Sequence, residues 1–143
     1  MKHLVIAADH RGFHQKNCIK NHLACRHAIE CIDVGTMSDE RTDYPIYAHK
    51  ALDYLKTGKA DAAILLCGSG AGMAIVANRV PHMYAAVAWN VQIAQMVKED
   101  DNCNVLVIPS DFVADDQVCA VVDAWLGASF KGGVYADRLA MID

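Results

Sequence analysis

The chain contains no Cys-x-x-C pair, although cysteines stand at 18, 25, 31, 67, 103 and 119. No close pair of cysteines or histidines is matched by a second pair, so a structural zinc site is not expected. Thiols scattered singly among apolar residues behave as small hydrophobes. With no signal-peptide pattern in view, they predict a reduced, cytoplasmic setting. No apolar run approaches the roughly 20 residues that span a bilayer, so no membrane partner is expected. Basic residues are outnumbered, 13 to 17, for a net charge of −4, which argues against non-specific nucleic-acid binding but permits a local basic pocket. Repeats, linkers and low-complexity stretches are lacking. No histidine follows His82, so proton transfer drawing on the rest of the chain must use another group. What remains is 143 residues, 54% of them hydrophobic, enough for a single domain over 1–143 with a substantial core.

Strand and helix patterns alternate. Leu4–Ala8 is a short apolar run, as expected of a strand buried on both faces. Residues 11–25 suit a helix with Ile19 and Leu23 inward. A second strand covers 31–34, and 36–43 reads as a polar loop. Asp43 and Pro45 open a helix that Gly58 closes. Strands follow at 62–67, 85–88 and 105–108. Ile93, Met96 and Val97 mark a helix between the last two. Val118, Val121, Val122 and Trp125 recur at i, i+3, i+4 and i+7, an amphipathic helix. Five buried strands joined by helical crossovers imply an α/β domain with a parallel sheet covered on both faces. Ligands in such folds lie beyond the carboxyl ends of the strands.

The segment after the third strand is the richest in chemistry: Cys67-Gly68-Ser69-Gly70-Ala71-Gly72. Glycines there let backbone N–H groups turn toward an anion, and a following helix adds its positive end. Such a cradle is expected to lower the Cys67 pKa and favour thiolate. Cys18, Cys25, Cys31 and Cys119 read instead as buried structural thiols. Asp9 and His10 follow the first strand. Asp9 either caps the next helix or bonds sugar hydroxyls, and His10 approaches a phosphate or hydroxyl. His14, His22, His27 and His49 fall on helices or their ends and read as solvated. Glu99–Asn102 reads as a solvated loop at the amino end of a strand, where a catalytic role would need another subunit. Arg138, Arg11 and Arg41 are cationic candidates for an anion.

Several motifs occur in order: Ala8-Asp9-His10-Arg11-Gly12-Phe13, Glu40-Arg41-Thr42-Asp43-Tyr44-Pro45, the glycine loop, Ala77-Asn78-Arg79, Asn104-Val105-Leu106, Asp123-Ala124-Trp125-Leu126-Gly127 and Gly132-Gly133. Together they resemble the ribose-5-phosphate isomerase B family, with its galactose-6-phosphate and allose-6-phosphate isomerases, over essentially the whole chain. The resemblance implies a three-layer α/β/α domain with a five-stranded parallel, Rossmann-like sheet. It implies a homodimer, sometimes a dimer of dimers, with active sites shared between subunits. It further implies aldose–ketose isomerisation of a sugar phosphate through a cis-enediolate, with no metal and no other cofactor. Carried over, Cys67 is the base. The glutamate some relatives use falls at Met73 here, leaving Cys67 alone in that role. Gly68, Ser69, Gly70, Ala71 and Gly72 would hold the oxyanion. Asp9 and Tyr44 would contact the sugar, and His10 and Arg138 the phosphate.

Three departures concern the ring-opening and phosphate half of the site. Asp100-Asp101-Asn102-Cys103-Asn104 stands where the family has His-Asn-Asp-Ala/Thr-Asn, so Asp100 replaces the ring-opening histidine and Asp101 follows in the same segment. Asp111 replaces an arginine and should repel phosphate. Val134 and Tyr135 replace Arg-His after Gly132-Gly133. Arg11 is the candidate to compensate, with Lys131 a weaker one. The residues fit a ribose 5-phosphate isomerase. They also fit an isomerase of another aldose phosphate, or a dimeric paralogue that binds sugar phosphate with little or no catalysis. A thiol hydrolase fits less well, because no histidine base can be assigned to Cys67.

Overall fold

A computed structural model describes residues 1, 3–26 and 29–143; His27 lies outside the described residues. Among them, strands and helices run in the order β1 (His3–Ala8), α1 (Phe13–Arg26), β2 (Glu30–Asp33), α2 (Tyr44–Lys56), β3 (Ala62–Cys67), α3 (Ala71–Asn78), β4 (Ala85–Val87), α4 (Val91–Asp101), β5 (Val105–Pro109), α5 (Val118–Gly127) and α6 (Val134–Leu139). The five strands form one sheet, ordered β2-β1-β3-β5-β4, and every pairing is parallel. The expected three-layer α/β/α architecture is therefore present.

Alternating strand residues feed two cores. Ile6, Ile64, Leu66, Leu106 and Ile108 pack with Ile19 and Leu23 of α1 and with Val118, Val121, Val122 and Trp125 of α5. Val5, Ala63, Leu65 and Val107 pack on the other face with Ala48 and Leu52 of α2 and Met73 and Ala77 of α3. No helix among the described residues is long and apolar enough to cross a membrane.

Several expectations need correction. Glu99–Asp101 is the last turn of α4, not a loop, and Asn102 ends the helix with φ +48°. Acidic residues oppose the helix dipole there. Lys131 compensates, with Nζ 3.2 Å from Glu99 and 2.7 Å from Asp100. Asp43 occupies the N-cap of α2 but its side chain makes no capping bond. Met96 is exposed, and Ala94 is the buried residue of α4. Cys25 is exposed, not a core thiol. His22 is part-buried with Nε2 2.7 Å from Asp123, and His14 lies 3.3 Å from Asp115.

Candidate active site

β1 and β3 are neighbours, yet the chain leaves them in opposite directions, β1 toward β2 and β3 toward β5. Such a switch opens a crevice at the carboxyl ends of the strands. A cavity of about 540 Å³ lies there, lined by Asp9, Arg11, Tyr44, Cys67, Gly68, Ser69, Gly72, Ile75, Asp111 and Phe112. An adjoining apolar hollow of about 420 Å³ is lined by Ser69, Val87, Trp89, Pro109 and Phe112.

Cys67 ends β3 and is 4% exposed, at the cavity wall. The loop after it turns because Gly70 adopts φ +76°, the N-cap of α3. That turn aims the N–H groups of Met73, Gly70 and Gly72 at the sulfur. The cradle exists, but its net effect differs from expectation. Burial pushes the Cys67 thiol above its ordinary value, the N–H groups oppose that rise, and the nearby Asp9 charge adds to it. Loss of solvation outweighs the cradle, so the resting sulfur favours the protonated form. The oxyanion assignment also narrows. The Ala71 N–H is bonded to Ser69 Oγ at 3.2 Å, and the Gly70 and Gly72 N–H groups face the sulfur.

Asp9 both caps and faces the cavity. Its Oδ1 accepts from the N–H groups of Arg11 (2.9 Å) and Gly12 (3.2 Å), which fixes the turn into α1. Gly12 is required by packing, since a Cβ there would lie 2.5 Å from that of Leu66. Tyr44 packs over the glycine loop: a Cβ on Gly72 would stand 2.4 Å from Tyr44 Cζ. His10 is absent from the cavity lining. Its Nδ1 accepts the Thr42 N–H at 3.2 Å, so a neutral ring carries its proton on Nε2.

Arg11 and Asp111 form an ion pair at the cavity wall. In sequence Asp111 reads only as a charge that repels phosphate; in the fold it is paired with Arg11. Ile75 and Phe112 supply apolar wall, and neither carries a functional group that would single it out in the sequence. The Met73 N–H lies one residue beyond the Gly68–Gly72 run that the sequence marks as the cradle.

Asp100, Asp101 and Arg138 do not join this site within one chain. Asp100 and Asp101 end α4, just before β5 begins. Asp101 lines a hollow with Tyr84 and Cys103, and Arg138 stacks on the Tyr135 ring, 5.4 Å from its centroid. Cys67 is at the other end of the sheet, about 17 Å away along a five-residue strand. No group of three or more His, Cys, Asp or Glu able to hold a metal occurs among the described residues.

A family model described as Ribose/Galactose Isomerase matches residues 4–142. Ribose-5-phosphate isomerase B of Escherichia coli K12 is 39% identical over 142 residues, covering 99% of this chain and 95% of that protein. The crystal structure of a ribose 5-phosphate isomerase from Thermotoga maritima superposes with a TM-score of 0.95 at 37% identity, covering 99% of this chain and 97% of that one. Ribose-5-phosphate isomerase B from Mycoplasma genitalium, solved with bound ribulose-5-phosphate, gives 0.91 at 34% identity, covering 98% and 93%.

Proposed function

The chain belongs to the ribose/galactose isomerase family and is a sugar-phosphate isomerase; from that premise we propose that it interconverts ribose 5-phosphate and ribulose 5-phosphate with Cys67 as the base. The observation that carries the reading is the Cys67 sulfur at the wall of a 540 Å³ cavity with three backbone N–H groups directed at it. The thiolate takes the C2 proton of the opened aldose, and the C1 carbonyl becomes an enediolate oxygen. Returning the proton to C1, with the hydroxyl proton passing from O2 to O1, gives the ketose, so protons and electrons both balance within the substrate. A raised thiol pKa suits this work. It lowers the fraction of thiolate at neutral pH but makes that thiolate a stronger base toward a carbon acid. Charge leaves the sulfur and develops on substrate oxygen at the cavity wall beside Gly68 and Ser69, in a backbone fixed before reaction begins. Asp9 and Tyr44 flank the cavity as sugar contacts.

The working unit in this reading is a homodimer in the cytoplasm. Asp100, Asp101 and Arg138 of a second copy would complete a site whose rim is already apolar. Ile75, Trp89 and Phe112 there are 61%, 52% and 74% exposed, an apolar cluster of the kind that marks a contact surface. Arg138 would bring a cation, and Asp100 would open the ring.

Turnover of ribose 5-phosphate against other aldose phosphates, with sedimentation of the same sample, tests the proposal. Preferential conversion of ribose 5-phosphate by a dimer is expected. Turnover of another aldose phosphate alone would reassign the substrate. Phosphate-sensitive binding without turnover would reduce the chain to a binding paralogue.

A further inference from the structure

The ion pair between Arg11 and Asp111 has no part in the proton transfer. We propose that Arg11 receives the phosphate of the substrate and that Asp111 is a positioning residue holding the guanidinium above Gly68; this rests on reading the cavity as a sugar-phosphate site.

Among the described residues lining the cavity, Arg11 is the only cationic side chain, beside two carboxylates, Asp9 and Asp111. A phosphate entering from solvent therefore has one cation to meet in this subunit. Both partners are fixed at the backbone. Asp9 Oδ1 holds the Arg11 N–H at 2.9 Å. The Asp111 N–H donates to the Gly68 carbonyl at 3.0 Å, and the Ser110 N–H to the Cys67 carbonyl at 2.9 Å. The loops after β3 and β5 are thus joined at the base of the pair.

Gly68 supplies a second, independent observation. A Cβ there would stand 2.9 Å from Arg11 Nε and 2.9 Å from Asp111 Oδ2. The space a side chain would fill is taken by the ion pair, beside the residue that bears the sulfur. A substrate with its reacting carbons at Cys67 and its charged end at Arg11 lies along one wall of the cavity.

A guanidinium offers five N–H donors in a planar fork. The contact with Asp111 uses Nη2. Nε and the remaining N–H groups stay available for a bidentate phosphate contact. The Arg11 side chain is 57% exposed, so a ligand can reach it. Asp111 has two opposed effects. Its geometry keeps a long side chain in place, and its charge opposes a dianion.

Inorganic phosphate is the probe, in two assays. One is competitive inhibition of ribose 5-phosphate turnover. The other is protection of Cys67 from iodoacetamide, read at that residue by mass spectrometry, which needs no turnover. The pair is at the surface, so R11A, D111A and D111N should fold. R11A should raise KM roughly tenfold or more, the equivalent of one charge-assisted contact, with kcat changed far less, and should abolish phosphate protection. D111N keeps an acceptor for the guanidinium and removes the charge, so it should bind phosphate at least as tightly as the parent. D111A should bind several-fold more weakly than D111N. Phosphate affinity in R11A within twofold of the parent overturns the assignment of Arg11. Equal affinities in D111A and D111N overturn the positioning role. A parent without turnover whose protection vanishes in R11A would sink the isomerase reading and leave Arg11 as the anion group.

Discussion

Replacing Lys16 with methionine should destabilise the protein by about 3 kcal/mol, a value set by a buried ion pair beneath the site. Lys16 is fully buried, with Nζ 2.7 and 2.6 Å from the two oxygens of Asp33. Lys20 approaches Oδ2 at 2.6 Å, and the Gly35 N–H donates to Oδ1 at 2.9 Å. Gly35 and Thr36 in turn bond Ala8 at 2.8 Å each, setting the loop after β2 against the end of β1. Burial pushes the Asp33 carboxyl up, but the bonds from Lys16, Lys20 and Gly35 together outweigh it and hold the carboxyl below its ordinary range. Methionine keeps most of the volume and removes the charge. Breaking a buried pair from one side costs about 3–5 kcal/mol. Lys20 remains and the Asp33 side chain keeps 10% exposure, so the lower end applies. A domain of 143 residues has about 7–21 kcal/mol of stability, and the variant therefore folds. The pH dependence identifies the cause. A depressed folded-state pKa contributes stability above the unfolded value of about 3.9 and loses it as pH falls through the lower folded value. The variant lacks most of that contribution, so its deficit is largest near neutrality and shrinks below about pH 4. Urea unfolding at neutral pH and in acid, followed by circular dichroism, measures both. A neutral-pH deficit under about 1 kcal/mol, the worth of a surface pair, refutes the reasoning. So does a deficit that stays constant in acid.

Alkylation of Cys67 by iodoacetamide should accelerate with pH and reach its plateau only above the ordinary thiol range, because burial raises the pKa; a plateau reached by neutral pH would contradict the balance between burial and cradle. Gly72→Ala should push the Tyr44 ring from the cavity and lower kcat/KM by about tenfold or more. Stability should hold or rise by up to about 1 kcal/mol, alanine being the better helix former, and unchanged kinetics would remove Tyr44 from the site. Asp100→His should speed conversion of cyclic substrate, and the same rate in both proteins would free Asp100 of any part in ring opening.

The central strands were legible as short apolar runs, Leu4–Ala8 stopped by Asp9 and Ala62–Cys67 by Gly68, and Ala62–Cys67 carries the sulfur to the rim where parallel sheets bind ligands. The glycine loop was legible for the same local reason. What the sequence hid depends on distance along the chain. Lys16 looks like a solvated helix lysine until β2 brings Asp33 over it. Asp111 looks repulsive to phosphate until Arg11, from the far end of the chain, is set against it. Three acidic residues in a row suggest a loop, because the Lys131 that supports them in a helix end comes from a later segment. The Cys67 thiol is only half legible: the N–H groups that lower its pKa lie in adjacent sequence, whereas the burial that raises it is a property of the whole fold.

Cys67→Ala bears most directly on the central claim, with ribose 5-phosphate conversion measured beside the parent protein under identical conditions. The parent should turn the sugar over, and the variant should lose about 10²–10⁴-fold, the worth of a positioned acid–base group. A variant that keeps its rate while the parent is active would contradict the assignment of Cys67 as the base.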